Sequence, residues 1–202
     1  MDFGFEDCGL YCTMTECDTN AHSFLRLRIS LSNQVQQQES RQSICVLLFL
    51  LAICVGGGAL IGIFSANDVD TWYQTLKRPS WTSPDRLFGP AWTTLYLCMA
   101  IAMWLVWKQG SQNPGKGKGV QLPVICFAIQ VIMNFAWTPV FFGARQIGWG
   151  MVIIVMLIAA VAITKVVFSQ YHRWAGWLMI PYLGWVIFAS TLNGGFLVLN
   201  GW

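Results

Sequence analysis

The chain has 202 residues, of which 55% are hydrophobic and 10% are charged, and its formal net charge is +3. That composition is too apolar for a protein surrounded only by water, and the small charge gives no indication of nucleic-acid binding. No Asp or Glu follows Asp85, which argues against acid–base and metal chemistry and favours stacking of a flat apolar ligand on some of the 11 tryptophans.

Residues 1–43 differ in kind from the rest of the chain. They are rich in acidic and polar side chains and contain no apolar stripe long enough to cross a bilayer. We therefore predict a disordered N-terminal extension. Cys8, Cys12 and Cys17 do not have the spacing of a usual zinc site, so no metal site is predicted. Translation from Met14 or later is an equally economical explanation of this segment.

Five segments are apolar enough and long enough to cross about 30 Å of hydrocarbon as helices. They span residues 44–64, 89–107, 122–142, 149–168 and 174–199. Lys165 is the only charged residue inside them, and its long stem reaches the interface from near the end of its span. The predicted fold class is an all-α integral membrane protein, a bundle of five transmembrane helices formed by residues 44–202.

The distribution of Lys and Arg predicts the orientation. The N-terminal segment and the second and fourth loops carry more of these residues than the first and third loops. The positive-inside tendency then places the N-terminus in the cytoplasm. This orientation applies to a bacterial cell membrane, which we favour; an organelle membrane is the expectation for a eukaryotic source.

The loop between the first two spans combines prolines with aromatic residues. Pro79, Pro84 and Pro90 restrict the backbone, while Trp72 and Trp81 supply rings that can pack. We predict that this loop is an ordered lid over one end of the bundle, with Trp72, Pro79, Trp81 and Pro84 as lid residues. The alternative for the two tryptophans is an interfacial aromatic belt among lipid headgroups.

Helical spacing places several aromatic residues on shared faces. Trp92 and Tyr96 lie four residues apart on the second helix. Trp185 and Ala189 have the same spacing on the fifth, where the small Ala189 leaves the gap that a bulky ring requires. These faces favour an aromatic-lined space between helices, although each tryptophan, taken alone, is more often a packing residue.

An amide, an arginine and a pair of glycines in or next to the spans each have two possible roles. Asn134, three residues before Trp137, needs a partner at mid-span, either another helix or the polar edge of a ligand. Arg145 ends the third span as an interfacial anchor or as a cation for an anionic ligand group. Gly58 and Gly62 have the Gly-x-x-x-Gly spacing of close helix approach, within the bundle or across a dimer.

Motifs in the first loop and in the second to fifth spans resemble those of the tryptophan-rich sensory protein and translocator protein family, also called peripheral benzodiazepine receptors. They are Trp72-Tyr73, Arg78-Pro79-Ser80-Trp81, Gly89-Pro90-Ala91-Trp92, Asn134-Phe135-Ala136-Trp137, Gly148-Trp149, Pro181-Tyr182-Leu183-Gly184-Trp185 and Leu192-Asn193. The resemblance covers residues 44–197. It implies a five-helix bundle, often homodimeric, whose ligand cavity is closed by the first loop.

The resemblance also implies which residues contact ligand. It places Trp92 and Trp185 closest to the ligand. Together with the faces described above, it gives the predicted ligand-binding set: Trp92, Tyr96, Asn134, Trp137, Trp149, Trp185, Ala189 and Leu192.

Two departures from the family pattern stand out. Ser83 replaces the first proline of the usual Trp-x-Pro-Pro, which predicts a less rigid lid. Where animal members have a tyrosine and then an arginine after Leu-Asn, this chain has Gly194, Gly195 and Phe196, with no Lys or Arg beyond Arg173. That difference argues against sterol binding by the animal motif.

The resemblance implies a membrane receptor or sensor of porphyrins, such as protoporphyrin IX or haem, linked to tetrapyrrole regulation. No resident cofactor is required, because the porphyrin is the ligand. Membrane lipid surrounds the protein and is its other expected partner. One alternative is light- and oxygen-dependent porphyrin degradation, in which Trp92 and Trp185 take part. Another is transport of a porphyrin, sterol or other lipid, although the spans lack the acidic residue expected of a proton-coupled exporter.

Overall fold

The computed structural model describes residues 14–112 and 119–201. Within those ranges all regular elements are helical, and five helices are long and apolar enough to cross a membrane. These findings confirm the predicted all-α membrane class. The first 13 residues of the predicted extension lie outside the described ranges. The chain divides into two compact units, one ending at Ile44 and the other beginning at Cys45.

In the first unit the described residues belong to helix α1, which runs from Met14 to Leu51. The sequence predicts no regular structure before residue 44, and the difference has a local cause. No Gly or Pro occurs between Met14 and Ser43, so nothing interrupts a helix once it has begun. Side chains from Arg28 to Arg41 are exposed. This part of α1 therefore reflects helix propensity and not a buried apolar stripe.

The second unit begins in the last turns of α1 and contains the other helices. A π-helical turn, Ala52–Gly56, connects α1 to α2, which spans Gly57–Asp70. The remaining long helices are α4 (Phe88–Gln112), α5 (Gln121–Thr138), α6 (Ile147–Tyr171) and α7 (Arg173–Asn200), and a second π-helical turn, Pro139–Gly143, continues α5.

Small residues bring the helices of this unit close together. Ala100 and Ala102 of α4 and Ala175 of α7 are completely buried. Gly176 of α7 lies so close to Ser169 of α6 that a Cβ atom on it would overlap that side chain. Helices in lipid associate through such close packing, because burial from water does not drive them together.

The first loop, residues 71–87, connects α2 to α4. It contains the short helix α3 (Trp72–Thr75) and a 3-10 turn at Asp85–Leu87. Its central part packs against the end of α7: the Cβ of an alanine at Gly195 would lie 2.5 Å from Cγ of Pro79 and 3.1 Å from Cζ2 of Trp81. The loop is therefore placed by contacts with a transmembrane helix.

Candidate functional site

A cavity of about 330 Å³ lies between α2, the first loop, α4 and the end of α5. Its walls are mainly aliphatic and aromatic, with a few hydroxyl groups and one carboxylate. The lining residues are Val55, Gly58, Ala59, Ile61, Gly62, Ser65, Val69, Tyr73, Asp85, Phe88, Gly89, Trp92, Thr93, Tyr96, Trp137, Thr138 and Phe142. Three of the eight predicted ligand-binding residues, Trp92, Tyr96 and Trp137, are among them.

Two glycines shape the α2 wall. A Cβ atom on Gly58 would overlap the ring of Tyr96, so the bare glycine allows α2 and α4 to approach at this level. A Cβ atom on Gly62 would meet nothing within 4 Å. The close approach suggested by the Gly-x-x-x-Gly spacing therefore occurs at Gly58, within the bundle, whereas Gly62 borders open space in the cavity.

The α4 wall presents two stacked rings. Trp92 and Tyr96 have centroids 5.6 Å apart and planes inclined by 28°. Trp185 of α7 meets Trp92 edge-on at 6.4 Å and Phe88 at 5.8 Å. Trp185 itself faces a separate open groove between α4 and α7. Of the two tryptophans predicted to lie closest to the ligand, Trp92 lines the cavity. Trp185 does not line it and packs against the ring of Trp92.

Asn134 of α5 forms hydrogen bonds with two other helices. Its Oδ1 accepts a hydrogen bond from the Tyr96 hydroxyl at 2.8 Å, and its Nδ2 donates one to the Tyr182 hydroxyl at 2.8 Å. Its exposed fraction is 3%. The structure thus gives the mid-span amide its partners on α4 and α7, and Asn134 reaches the cavity only through the ring of Tyr96.

Trp137 connects the cavity to α7. Its Nε1 donates a hydrogen bond to Oδ1 of Asn193 at 3.3 Å. Ala189 and Leu192 lie around a small adjoining space of about 30 Å³, which shares Trp137 with the main cavity. These two predicted residues therefore border an annex of the site.

Trp149 lies apart from the other predicted residues. It is in the first turn of α6, its exposed fraction is 60%, and it lines neither the cavity nor the annex. Because the first turn of a membrane-spanning helix lies near the interface, its position is typical of an interfacial aromatic residue.

The four lid residues have different surroundings. Trp72 meets Phe141 edge-on at 6.0 Å, and Pro79 is buried against the end of α7. Trp81 is half exposed, and Pro84 is exposed. These contacts order part of the loop beside the cavity; that the loop opens and closes as a lid stays a prediction.

The loop contributes two lining residues that sequence reasoning missed. Tyr73 is buried among Phe141, Phe142 and Phe196, and this burial raises the pKa of its hydroxyl to about 12. Asp85 is the second. The available signal was their position in the proline- and aromatic-rich loop: Tyr73 directly follows the predicted lid residue Trp72, and Asp85 directly follows Pro84.

Two arginines near the cavity form ion pairs with aspartates. Arg78 donates from both terminal nitrogens to the carboxylate of Asp85, each at 3.2 Å, and lies over the ring of Tyr73 at 4.8 Å. Arg145 donates to the Asp68 carboxylate at 3.3 Å and does not line the cavity. Arg145 has left-handed backbone geometry, φ 57°, and lies in the turn after the extension of α5, which ends at Gly143. Its ion pair anchors this turn to the end of α2.

Comparison with known proteins agrees with these features. The model of the TspO/MBR family matches residues 49–199. The chain is 38% identical over 154 residues to the tryptophan-rich protein TspO of Archaeoglobus fulgidus, covering 76% of this chain and 94% of that protein. It is 40% identical over 122 residues to the translocator protein of Homo sapiens, covering 60% and 70%. It is 35% identical over 153 residues to the tryptophan-rich sensory protein of Cereibacter sphaeroides, covering 76% and 90%.

Proposed function

Because this chain belongs to the TspO/MBR family, we propose that it is a multi-pass membrane receptor or sensor that binds porphyrins, such as protoporphyrin IX or haem, and similar flat hydrophobic ligands in the cavity beside Trp92. Similar proteins are named as a sensory protein and a translocator protein, and those names fit a ligand-binding membrane protein. The observation that carries the proposal is the aromatic lining of the cavity.

Aromatic rings approach the cavity from several elements. Trp92, Tyr96 and Phe88 come from α4, Trp137 and Phe142 from α5 and its extension, and Tyr73 from the first loop. A flat macrocycle placed among them buries apolar area worth about 25 cal/mol per Å² before the costs of ordering. Offset or edge-on ring contacts add about 0.5–1.5 kcal/mol each.

The size of the cavity bears on how a macrocycle is held. At about 330 Å³, the cavity lies near the lower end of the roughly 300–1,000 Å³ typical of small-molecule sites. We expect Tyr73 and Phe88 to shift when a whole porphyrin enters, since both connect the loop to the cavity wall. The described lining residues include no His, Cys or Met, and the hydroxyl of the lining residue Tyr96 already donates to Asn134. The proposed binding therefore depends on ring contacts.

The test is a dark titration of detergent-purified protein with protoporphyrin IX, followed by tryptophan quenching and by the porphyrin absorption band. Trp92→Phe is expected to weaken binding by about tenfold, since it shrinks a cavity wall. Trp177→Phe is the matched control, because Trp177 is also on a membrane helix but has an exposed fraction of 59% and lies outside the cavity. Absence of saturable binding in folded protein would overturn the proposal.

A second candidate function rests on the contact between Trp92 and Trp185. Edge-on indoles 6.4 Å apart, one of them on the cavity wall, put an oxidisable pair beside a bound porphyrin. We propose light- and oxygen-dependent porphyrin degradation as this alternative. Illumination of the same complex in air tests it: loss of the absorption band that requires both Trp92 and Trp185 would favour the enzyme, and a stable band would exclude it.

A further inference from the structure

Asp85 is the one carboxylate among the described lining residues, which include no Lys, Arg or His. It begins the 3-10 turn that leads into α4, so its carboxylate lies where the first loop joins the cavity wall. The exposed fraction of the side chain is 39%. A ligand that fills the cavity up to the loop therefore meets a carboxylate.

The carboxylate is fixed in place by its neighbours. Arg78 donates to both oxygens at 3.2 Å, and Nε2 of Gln74 donates to Oδ2 at 3.2 Å. A third hydrogen bond from Arg78, 2.6 Å long, is donated to Oε1 of Gln74. Three donors leave a carboxylate with about one of its roughly four acceptor positions unused. That position is on Oδ1, which accepts from Arg78 alone among these donors.

The compensating cation does not itself form the wall. Arg78 neutralises Asp85 but is absent from the lining, as are Lys77, Arg86 and Arg145. A ligand carboxylate at this end of the cavity would thus border Asp85, whereas Arg78 is not part of the wall. A ligand N–H or ammonium group, in contrast, would find an oriented acceptor.

On the basis of the proposed function, we propose that Asp85 makes the cavity selective for flat hydrophobic ligands whose edge at the loop is uncharged or donates a hydrogen bond, over ligands that present an ionised carboxylate there. The apolar walls supply the affinity for the ring system, and Asp85 discriminates between the groups at its edge. The expected discrimination is about fivefold, since the site is partly solvated and Arg78 offsets part of the repulsion.

The test compares protoporphyrin IX, which carries two carboxylates, with its dimethyl ester, which has the same macrocycle without the charges. Dissociation constants for both are measured in detergent with wild-type protein, Asp85→Asn and Asp68→Asn. The readout is the ratio of the two constants in each variant, since any difference in partitioning into detergent cancels between variants. Asp68 is the matched control because it is also an aspartate paired with an arginine, and it does not line the cavity.

Asp85→Asn is expected to tighten binding of the diacid about fivefold while leaving the ester unchanged, because the substitution removes the negative charge and releases Arg78. Asp68→Asn is expected to leave the ratio as in the wild type. An unchanged ratio in Asp85→Asn, equal weakening of both porphyrins, or the same shift in Asp68→Asn would each overturn the inference while leaving the proposed function standing. Failure of both porphyrins to bind any variant would overturn the proposed function and this inference with it.

Discussion

Asn200 and Lys77 are joined by two reciprocal hydrogen bonds. The main-chain N–H of Lys77 donates to Oδ1 of Asn200 at 2.9 Å, and Nδ2 of Asn200 donates to the carbonyl of Lys77 at 3.0 Å. One side chain at the end of α7 thus satisfies both main-chain polar groups of a residue in the middle of the first loop. The loop that borders the cavity is held by the helix farthest from it in sequence.

Replacing Asn200 with Ala is expected to loosen the first loop without unfolding the bundle. The change removes both bonds to Lys77, and each contributes about 0.5–1.5 kcal/mol. Hydrogen exchange measured by mass spectrometry should rise in residues 71–87 and stay constant in α6. Val198→Ala is the control, because Val198 is 85% exposed on the same helix end. Unchanged exchange in the loop would show that the pair does not hold it.

The neighbouring glycines of α7 make a matched pair for packing. Gly195→Ala places a Cβ atom 2.5 Å from Pro79, whereas Gly194→Ala meets only Cε of Met151 at 3.9 Å. Alanine should stabilise the helix at Gly194 by up to about 1 kcal/mol, and overpacking should cost about 1–3 kcal/mol at Gly195. Thermal unfolding in detergent distinguishes the two. Equal melting temperatures would mean that Pro79 moves away at no cost.

Gly62→Leu is expected to fill the cavity from the α2 wall. The glycine borders open space, so a leucine side chain has room, and binding should fall by at least about tenfold while the melting temperature stays within a few degrees of the wild type. Ala66→Leu, an exposed position one turn later on α2, serves as the control. Retained porphyrin affinity in Gly62→Leu would place the ligand elsewhere.

Asn134→Leu should destabilise the bundle by about 1–3 kcal/mol, because the hydroxyls of Tyr96 and Tyr182 lose their shared partner. Adding Tyr96→Phe and Tyr182→Phe to that variant removes the stranded hydroxyls and should recover part of the loss. Denaturation in mixed detergent measures this, with the two Phe substitutions in the wild-type background as reference. Strictly additive effects would indicate that the three groups do not act together.

The five membrane-spanning helices could be predicted because an apolar run of about 20 residues is typical of a helix that crosses a bilayer. The observed helices extend beyond the predicted spans; α6, for example, runs from Ile147 to Tyr171 where residues 149–168 are predicted. A polar residue ends an apolar run but does not by itself end a helix, so the helices continue past the predicted spans. For the same reason the polar part of α1 is helical although it is not apolar.

The cavity was predictable only in part. Spacing along one helix placed Trp92 and Tyr96 on one face, as the structure has them, but it could not rank Trp149 against Trp92. A tryptophan suits an interface and a pocket equally, and the rotation of its helix against the neighbouring helices decides between them. Tyr73 and Asp85 lie in the loop, whose path depends on contacts with α7 that no local pattern encodes.

The π-helical turns at Ala52–Gly56 and Pro139–Gly143 have a consequence for how these chains tolerate length changes. Each turn accommodates one residue more than an α-helical turn, and one residue corresponds to about 100° of rotation. Deleting a single residue inside Ala52–Gly56 would relax the turn to α-helix and keep Gly58 and Gly62 facing the cavity. A deletion between Gly58 and Gly62 would instead rotate one glycine by about 100° relative to the other, so that both could not face the cavity. Insertions and deletions in relatives should therefore cluster at these two turns, which offer a membrane helix a place to gain or lose a residue.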